Sequence, residues 1–203
     1  RLPRAIRDVY KRQKQGSPAA IAQMVSNGEA DIAIVTERID DHPELSKLTC
    51  DEWNHAVIVP KEHPLLECMN PLSIEDLASF PLITYEFAFN QGSSIARAFN
   101  KAHLDNPDVV LSAADTDVLK TYVRLGLGVG LMAKMAFDPE KDADLELVDA
   151  AHLFEPSPIW IAVRSDTYLR GYTYDFIEMF SPKLTRDVVD RILYTPVVED
   201  FSI

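Results

Sequence analysis

Residues 115–132, DTDVLKTYVRLGLGVGLM, decide how the rest of the chain is read. Asp115 or Thr116 can cap a helix, because either side chain accepts a hydrogen bond from an unpaired N–H of the first turn. Val118, Tyr122 and Leu125 then recur at helical spacing. Gly126 follows, where a left-handed residue commonly ends a helix, and residues 129–132 have the unbroken apolar character of a buried strand. The order is helix, glycines, strand. A dinucleotide site needs strand, glycines, helix, so that the helix N-terminus faces the pyrophosphate. Gly126, Gly128 and Gly130 are therefore architectural: they turn a helix sharply back into a sheet.

The same alternation extends in both directions. Ser17 and Pro18 open a helix as N-cap and first helical residue; Ile21, Met24 and Val25 form its apolar stripe, and Gly28 ends it. Strands are predicted over 31–36, 56–59, 82–85, 109–112, 145–148 and 159–163. Further helices open at Ser73, at Ser93, at Tyr168 (with Leu169, Tyr172, Phe176 and Phe180 on one side) and at Thr185. Strands separated by helices imply an α/β sheet with crossover connections. The pattern breaks at DEWNH (51–55) and at Pro156 and Pro158, and these breaks are predicted to be strands passing between two lobes.

A chain of 203 residues suits one sizeable domain or two small lobes, and 47% hydrophobic residues supply a real core. No apolar run approaches a membrane span, and the first residues lack a secretory pattern. Cys50 and Cys68 form no metal or redox spacing, so the expectation is a cytoplasmic protein with reduced thiols. Net charge is −12. Such a surface repels phosphate backbones, which excludes nucleic-acid binding by this part of the protein. Six bases (Arg1, Arg4, Arg7, Lys11, Arg12, Lys14) and one acid (Asp8) fall in residues 1–14, leaving 14 bases and 31 acids after them. The basic segment 1–14 is therefore set apart as a leader, and the expectation is that it is foreign to the fold.

No catalytic constellation stands out, and no enzyme is predicted: the chain has no G-x-S-x-G elbow, no H-E-x-x-H and no Walker loop. His42, His55, His63, His103 and His152 are scattered, each expected at the surface or in a turn. Asp138, Glu140, Asp142, Asp144 and Glu146 form an acidic cluster expected to be a solvated face; it lacks the glycine and terminal glutamate of a calcium loop, so no metal is expected. What does recur is polar residues at strand ends and helix starts: Gly16-Ser17, Gly92-Ser93-Ser94, Thr36 and Thr84. Ligands of open α/β sheets sit at carboxyl ends of strands, and helix N-termini favour anions. A small-anion site is the expectation, with Trp53, at a crossing, serving either the core or the wall of the site.

These residues also carry a resemblance. QGSP (15–18), GEADIAIVTE (28–37), WNHAVIVP (53–60), HPL (63–65), SIEDLA (73–78), PLITY (81–85), DTDVLKTYVRLGLGVGLMA (115–133) and LTRDVVD (184–190) together resemble the effector-binding domain of LysR-type transcriptional regulators. KTYVR (120–124) and the segment 184–190 narrow this to the CysB-like branch, which includes Cbl and governs sulfur assimilation and cysteine biosynthesis. The resemblance implies a two-lobed, periplasmic-binding-protein-like (type 2) fold with two crossing strands. Lobe I is expected over 15–52 plus 162–203, with its first strand and helix missing, and lobe II over 56–158. An effector would lie between the lobes: N-acetylserine, O-acetylserine, sulfate or thiosulfate. Effector-binding positions implied are Thr36, Trp53 and Asn90, to which the helix and strand ends add Ser17 and Thr84. Asn90 stands where CysB-like regulators have threonine, a change that alters hydrogen-bonding reach.

The resemblance further implies promoter DNA as a partner only through a winged helix-turn-helix absent from this chain, a homotetrameric assembly, no cofactor and no membrane. The competing expectation is a solute-binding protein of a transporter, which shares the fold.

Overall fold

The computed structural model describes residues 12–36, 39, 42–68, 71–90 and 92–194. Most of the 1–14 leader lies outside the described residues; Arg12, Gln13 and Lys14 are in neither helix nor strand.

The chain divides into two units, residues 1–51 with 158–203 and residues 52–157. In the first, Ser17 caps helix α1 (Pro18–Ser26), accepting from the Ala20 amide at 3.3 Å, with Pro18 at the helix start. Gly28, at φ +73°, closes the helix, its amide bonding the Val25 carbonyl. Strand β1 (Ala33–Val35) pairs antiparallel with β8 (Ser157–Arg164), which also borders β2 (Leu45–Trp53). Ala22, Val25, Ala33, Val35, Leu45 and Ala162 form the core of this unit. Later in the chain come α5 (Gly171–Phe180) and α6 (Arg186–Tyr194).

The chain passes from the first unit to the second within β2, between Asp51 and Glu52, and back within β8, between Ser157 and Pro158. Two readings differ from the sequence: β2 begins at Leu45, well ahead of the 51–55 break, and the buried side of α5 is not the one that spacing places there. Helix α5 buries Thr173, Tyr174 and Ile177, while Phe180, placed on the apolar side by spacing, is exposed.

The second unit holds a five-stranded sheet in the order β5 (Val109–Ala113), β4 (Leu82–Tyr85), β6 (Val129–Ala133), β3 (His55–Pro60), β7 (Leu145–Asp149). β4 runs parallel to β5 and β6, and β3 antiparallel to β6 and β7. Both faces of this sheet are covered. Val57, Val59, Leu82 and Leu131 join a cluster with Leu77 of α2 (Ile74–Ala78) and Phe99 of α3 (Ser94–Lys101). Their alternates Ile58, Ile83 and Met132 pack with Leu119 and Val123 of α4 (Thr116–Arg124). Double coverage is why these strands are continuous apolar runs.

The 115–132 stretch folds as its order implies. Asp115 caps α4, its Oδ1 accepting from the Val118 amide at 2.9 Å. Gly126 sits at φ +72°, and the bonds Gly126 N to Val123 O and Leu127 N to Tyr122 O form a Schellman stop. A Cβ on Gly130 would come within 2.6 Å of Ile58 and 2.7 Å of Val123, so helix and sheet touch through a bare backbone. Val118, Tyr122 and Leu125 are not its buried stripe, however. The helix buries Leu119, Lys120 and Val123, and Leu125 is 66% exposed.

Candidate functional site

Ser17 and Thr36 belong to the first unit, and Trp53, Thr84 and Asn90 to the second. Ser17 is exposed, its oxygen engaged as the α1 cap. Thr36 follows β1 directly and is half-buried. Asn90 is exposed in the turn after β4, its carbonyl accepting from the Ser93 amide at 3.0 Å, so its side chain is presented by a fixed backbone. Thr84 departs from expectation. It is fully buried in β4 and its hydroxyl donates to the Leu131 carbonyl at 3.0 Å, so its donor serves the sheet rather than a ligand.

Trp53 ends β2 and is 5% exposed, with its ring centroid 4.3 Å from that of His55. His55 corrects the surface expectation for histidines. It opens β3 at 2% exposure, between Trp53 and Phe154, whose ring lies 5.1 Å away. Burial among these rings pushes its imidazole down to about 4, so it is neutral at physiological pH. His63 behaves as expected: its Nδ1 accepts from the Leu65 amide at 3.1 Å and caps a turn.

The Gly92-Ser93-Ser94 start is built more firmly than capping alone requires. Ser93 Oγ accepts from the Ala96 amide at 3.0 Å and donates to the Ala88 carbonyl at 2.5 Å. Ser94 is buried, 3.4 Å from the equally buried Ser157 hydroxyl. Sequence reasoning had no signal for Ser157, which lies 63 residues away.

The acidic cluster is not wholly a solvated face. Asp142 is 3% exposed and accepts from Lys120 Nζ at 2.5 Å, Arg124 at 2.9 Å and the Asp138 amide at 3.0 Å. Lys120 also donates to the Ala136 carbonyl at 2.6 Å, and Arg124 bonds Asp144. Burial opposes ionisation of Asp142, but these donors outweigh it and hold its carboxyl below the ordinary range. KTYVR thus carries an internal ion network. Among the described residues no His, Cys, Asp and Glu grouping has metal-holding geometry. Both cysteines are free thiols, and no described helix is long and apolar enough to cross a membrane.

A two-unit α/β chain with one three-stranded and one mixed five-stranded sheet has the build of an effector-binding domain. Comparison with known proteins agrees. Residues 9–184 match the LysR substrate binding domain, a match that begins ahead of Gln15 and inside the segment set apart as a leader. The chain belongs to this family, and its fold is the periplasmic-binding-protein-like type 2 fold of LysR effector-binding domains. It is 46% identical to the HTH-type transcriptional regulator CysB of Burkholderia cenocepacia, over 95% of this chain and 63% of that protein. It is 50% identical to the CysB of Haemophilus influenzae, over 91% of this chain and 56% of that one. The cofactor-binding domain of the Cbl transcriptional regulator is 37% identical, with a TM-score of 0.80 over 90% of this chain and 79% of that structure. The effector-binding domain of QuiR in complex with shikimate, 17% identical over 83% of this chain and 78% of that structure with a TM-score of 0.70, shares the fold. The chain spans less than two thirds of the length of the curated regulators it matches.

Proposed function

We propose that this chain is the effector-sensing part of a LysR-family transcriptional regulator of sulfur assimilation and cysteine biosynthesis. The observation that carries the reading is its 46–50% identity, over more than nine tenths of its length, to regulators named CysB. The effector is a small anion or an acetylated serine. Thr36 contributes a hydroxyl on the first unit; Trp53 and Asn90 contribute a ring and an amide on the second. Ser17 contributes a helix start. In the whole protein, promoter DNA is gripped by a winged helix-turn-helix outside this chain, since a net charge of −12 does not hold phosphate. The assembly is a cytoplasmic homotetramer, with no catalytic step. The relatives above are transcriptional regulators, which favours this reading over a transporter's solute-binding protein.

Calorimetric titration of the 203-residue chain with N-acetylserine, O-acetylserine, sulfate and thiosulfate tests the reading. Saturable binding of at least one is expected; no heat from any of the four overturns it.

A further inference from the structure

Within the second unit, a cavity of about 510 Å³ lies between α3 and the edge strand β5. That volume is ordinary for a small-molecule site. Chain order builds it: β4 ends at Tyr85, the chain crosses into α3, and a turn returns it to β5. The turn is fixed by backbone bonds from the Leu104 amide to the Phe99 carbonyl and from the Val109 amide to the Pro107 carbonyl. None of Ser17, Thr36, Trp53 and Asn90 lines this cavity, so it is separate from the effector residues assigned above.

Part of the lining is apolar: Phe89, whose ring meets that of Phe99 edge-on at 5.3 Å, with Pro107 and Val109. The charged part is unbalanced. Its cation is Arg97, and that guanidinium is already engaged, donating to the Gly92 carbonyl and, at 2.6 Å, to Glu155. Glu86 and Asp105 line the same cavity as exposed carboxylates, and among the described residues neither has an ion-pair partner. An apolar wall alone holds any apolar molecule, and surface carboxylates alone attract any counter-ion. Together in one concave space they select a molecule with an apolar body and a positive end. An anion meets no free cation there.

We propose that this cavity is a second ligand site, which takes a small organic amine in its charged form. The apolar body of the ligand packs on Phe89, Pro107 and Val109, and its ammonium lies toward Glu86 and Asp105. All of these residues belong to one unit, so the site forms without reference to the other. The ligand is opposite in charge to sulfate, so the two sites do not compete for one molecule.

The test adds benzylamine, cationic at neutral pH, or benzyl alcohol, its neutral counterpart of similar shape, to the 203-residue chain and follows amide ¹H–¹⁵N spectra. Benzylamine should shift the resonances of Gly92, Asn106 and Ser112 saturably, and benzyl alcohol should bind about five-fold more weakly or worse. The double variant Glu86→Gln/Asp105→Asn should lose roughly five-fold in benzylamine affinity, the sum expected for two exposed ion pairs. Glu140→Gln/Glu146→Gln removes the same charge from exposed positions outside the cavity and should stay within about two-fold. Equal losses in the two double variants would mean that the acidic surface as a whole attracts the amine, and they overturn the proposal. So do shifts that do not saturate, the absence of shifts, and equal binding of the alcohol; these three are read on the wild-type chain and need no variant to fold. Failure of the amine arms leaves the effector reading intact, because that reading is tested with sulfate, thiosulfate and the acetylserines.

Discussion

Lys120 Nζ lies 2.5 Å from Asp142 Oδ2, with the two side chains only 8% and 4% exposed. An ammonium and a carboxylate this deep stabilise the fold only as a pair, because each alone is an uncompensated charge. Lys120→Met should therefore cost about 3 kcal/mol, since Arg124, a third exposed, covers only part of the carboxylate. The double variant Lys120→Met/Asp142→Leu removes both charges and should recover most of that loss. Urea unfolding of the single and double variants checks it. A double variant whose loss equals the sum of the losses of Lys120→Met and Asp142→Leu measured singly would show that the two residues are not coupled.

The glycines of the 126–130 turn should respond differently to alanine. Gly126 has open space around it but a φ of +72°, so Gly126→Ala meets backbone strain alone, about 1 kcal/mol. A Cβ on Gly130 would meet Ile58, Val123 and Leu119 at 2.6–2.9 Å, so Gly130→Ala forces helix and sheet apart, at about 3 kcal/mol. Thermal melts of both variants check the order. Equal shifts would contradict the close approach seen at Gly130.

The same packing explains what was legible in the sequence. Ile58, Ile83 and Met132 on one face, and Val57, Leu82 and Leu131 on the other, are all buried, so strands of the second unit stand out as apolar runs. β2 was hidden because LSKLTCDEW neither alternates nor runs apolar: Leu45, Leu48, Cys50 and Trp53 are buried at uneven intervals. The buried face of α4 was misplaced because it contains Lys120, a charge that is tolerable there only through Asp142, 22 residues on. Thr36 and Ser17 were visible as polar residues at element ends, and Asn90 only through the resemblance. His55 was not, because residue type alone puts a histidine at the surface, and only the placement of Trp53 and Phe154 puts this one inside.

Acid should destabilise the second unit through His55. Its imidazole titrates near 4 in the fold against 6.5 when unperturbed, because burial disfavours the charged form. Between those values the unfolded chain binds the extra proton, so stability falls as pH drops from about 6.5 to about 4 and is unaffected by this group above that window. The full loss from this residue approaches about 3 kcal/mol. Carboxylates add their own acid dependence, so the informative quantity is the difference between wild type and His55→Phe. Stability curves for the two should run parallel above pH 7, and wild type should lose stability relative to His55→Phe as pH falls towards 4. Curves that stay parallel throughout would mean that His55 protonates without penalty.

Thr84 and Thr36 were paired by position as threonines at strand ends, and valine substitution should separate them. The Thr84 hydroxyl is buried and donates to the Leu131 carbonyl across the sheet. Thr84→Val keeps the shape and removes that donor, so stability should fall by about 1 kcal/mol while effector affinity stays as it was. Thr36, half-buried just past β1, is assigned to the effector under the proposed function. Thr36→Val should weaken binding by about 1–3 kcal/mol, the cost of leaving a ligand group unpaired. Titration and melting of both variants give four numbers. Loss of affinity in Thr84→Val, or unchanged affinity in Thr36→Val, would reverse the assignment. Asn90→Thr completes the comparison: swapping an amide for a hydroxyl at an exposed turn should leave the melting temperature alone and change the ranking among acetylserines and sulfate. An unchanged ranking would place Asn90 away from the ligand.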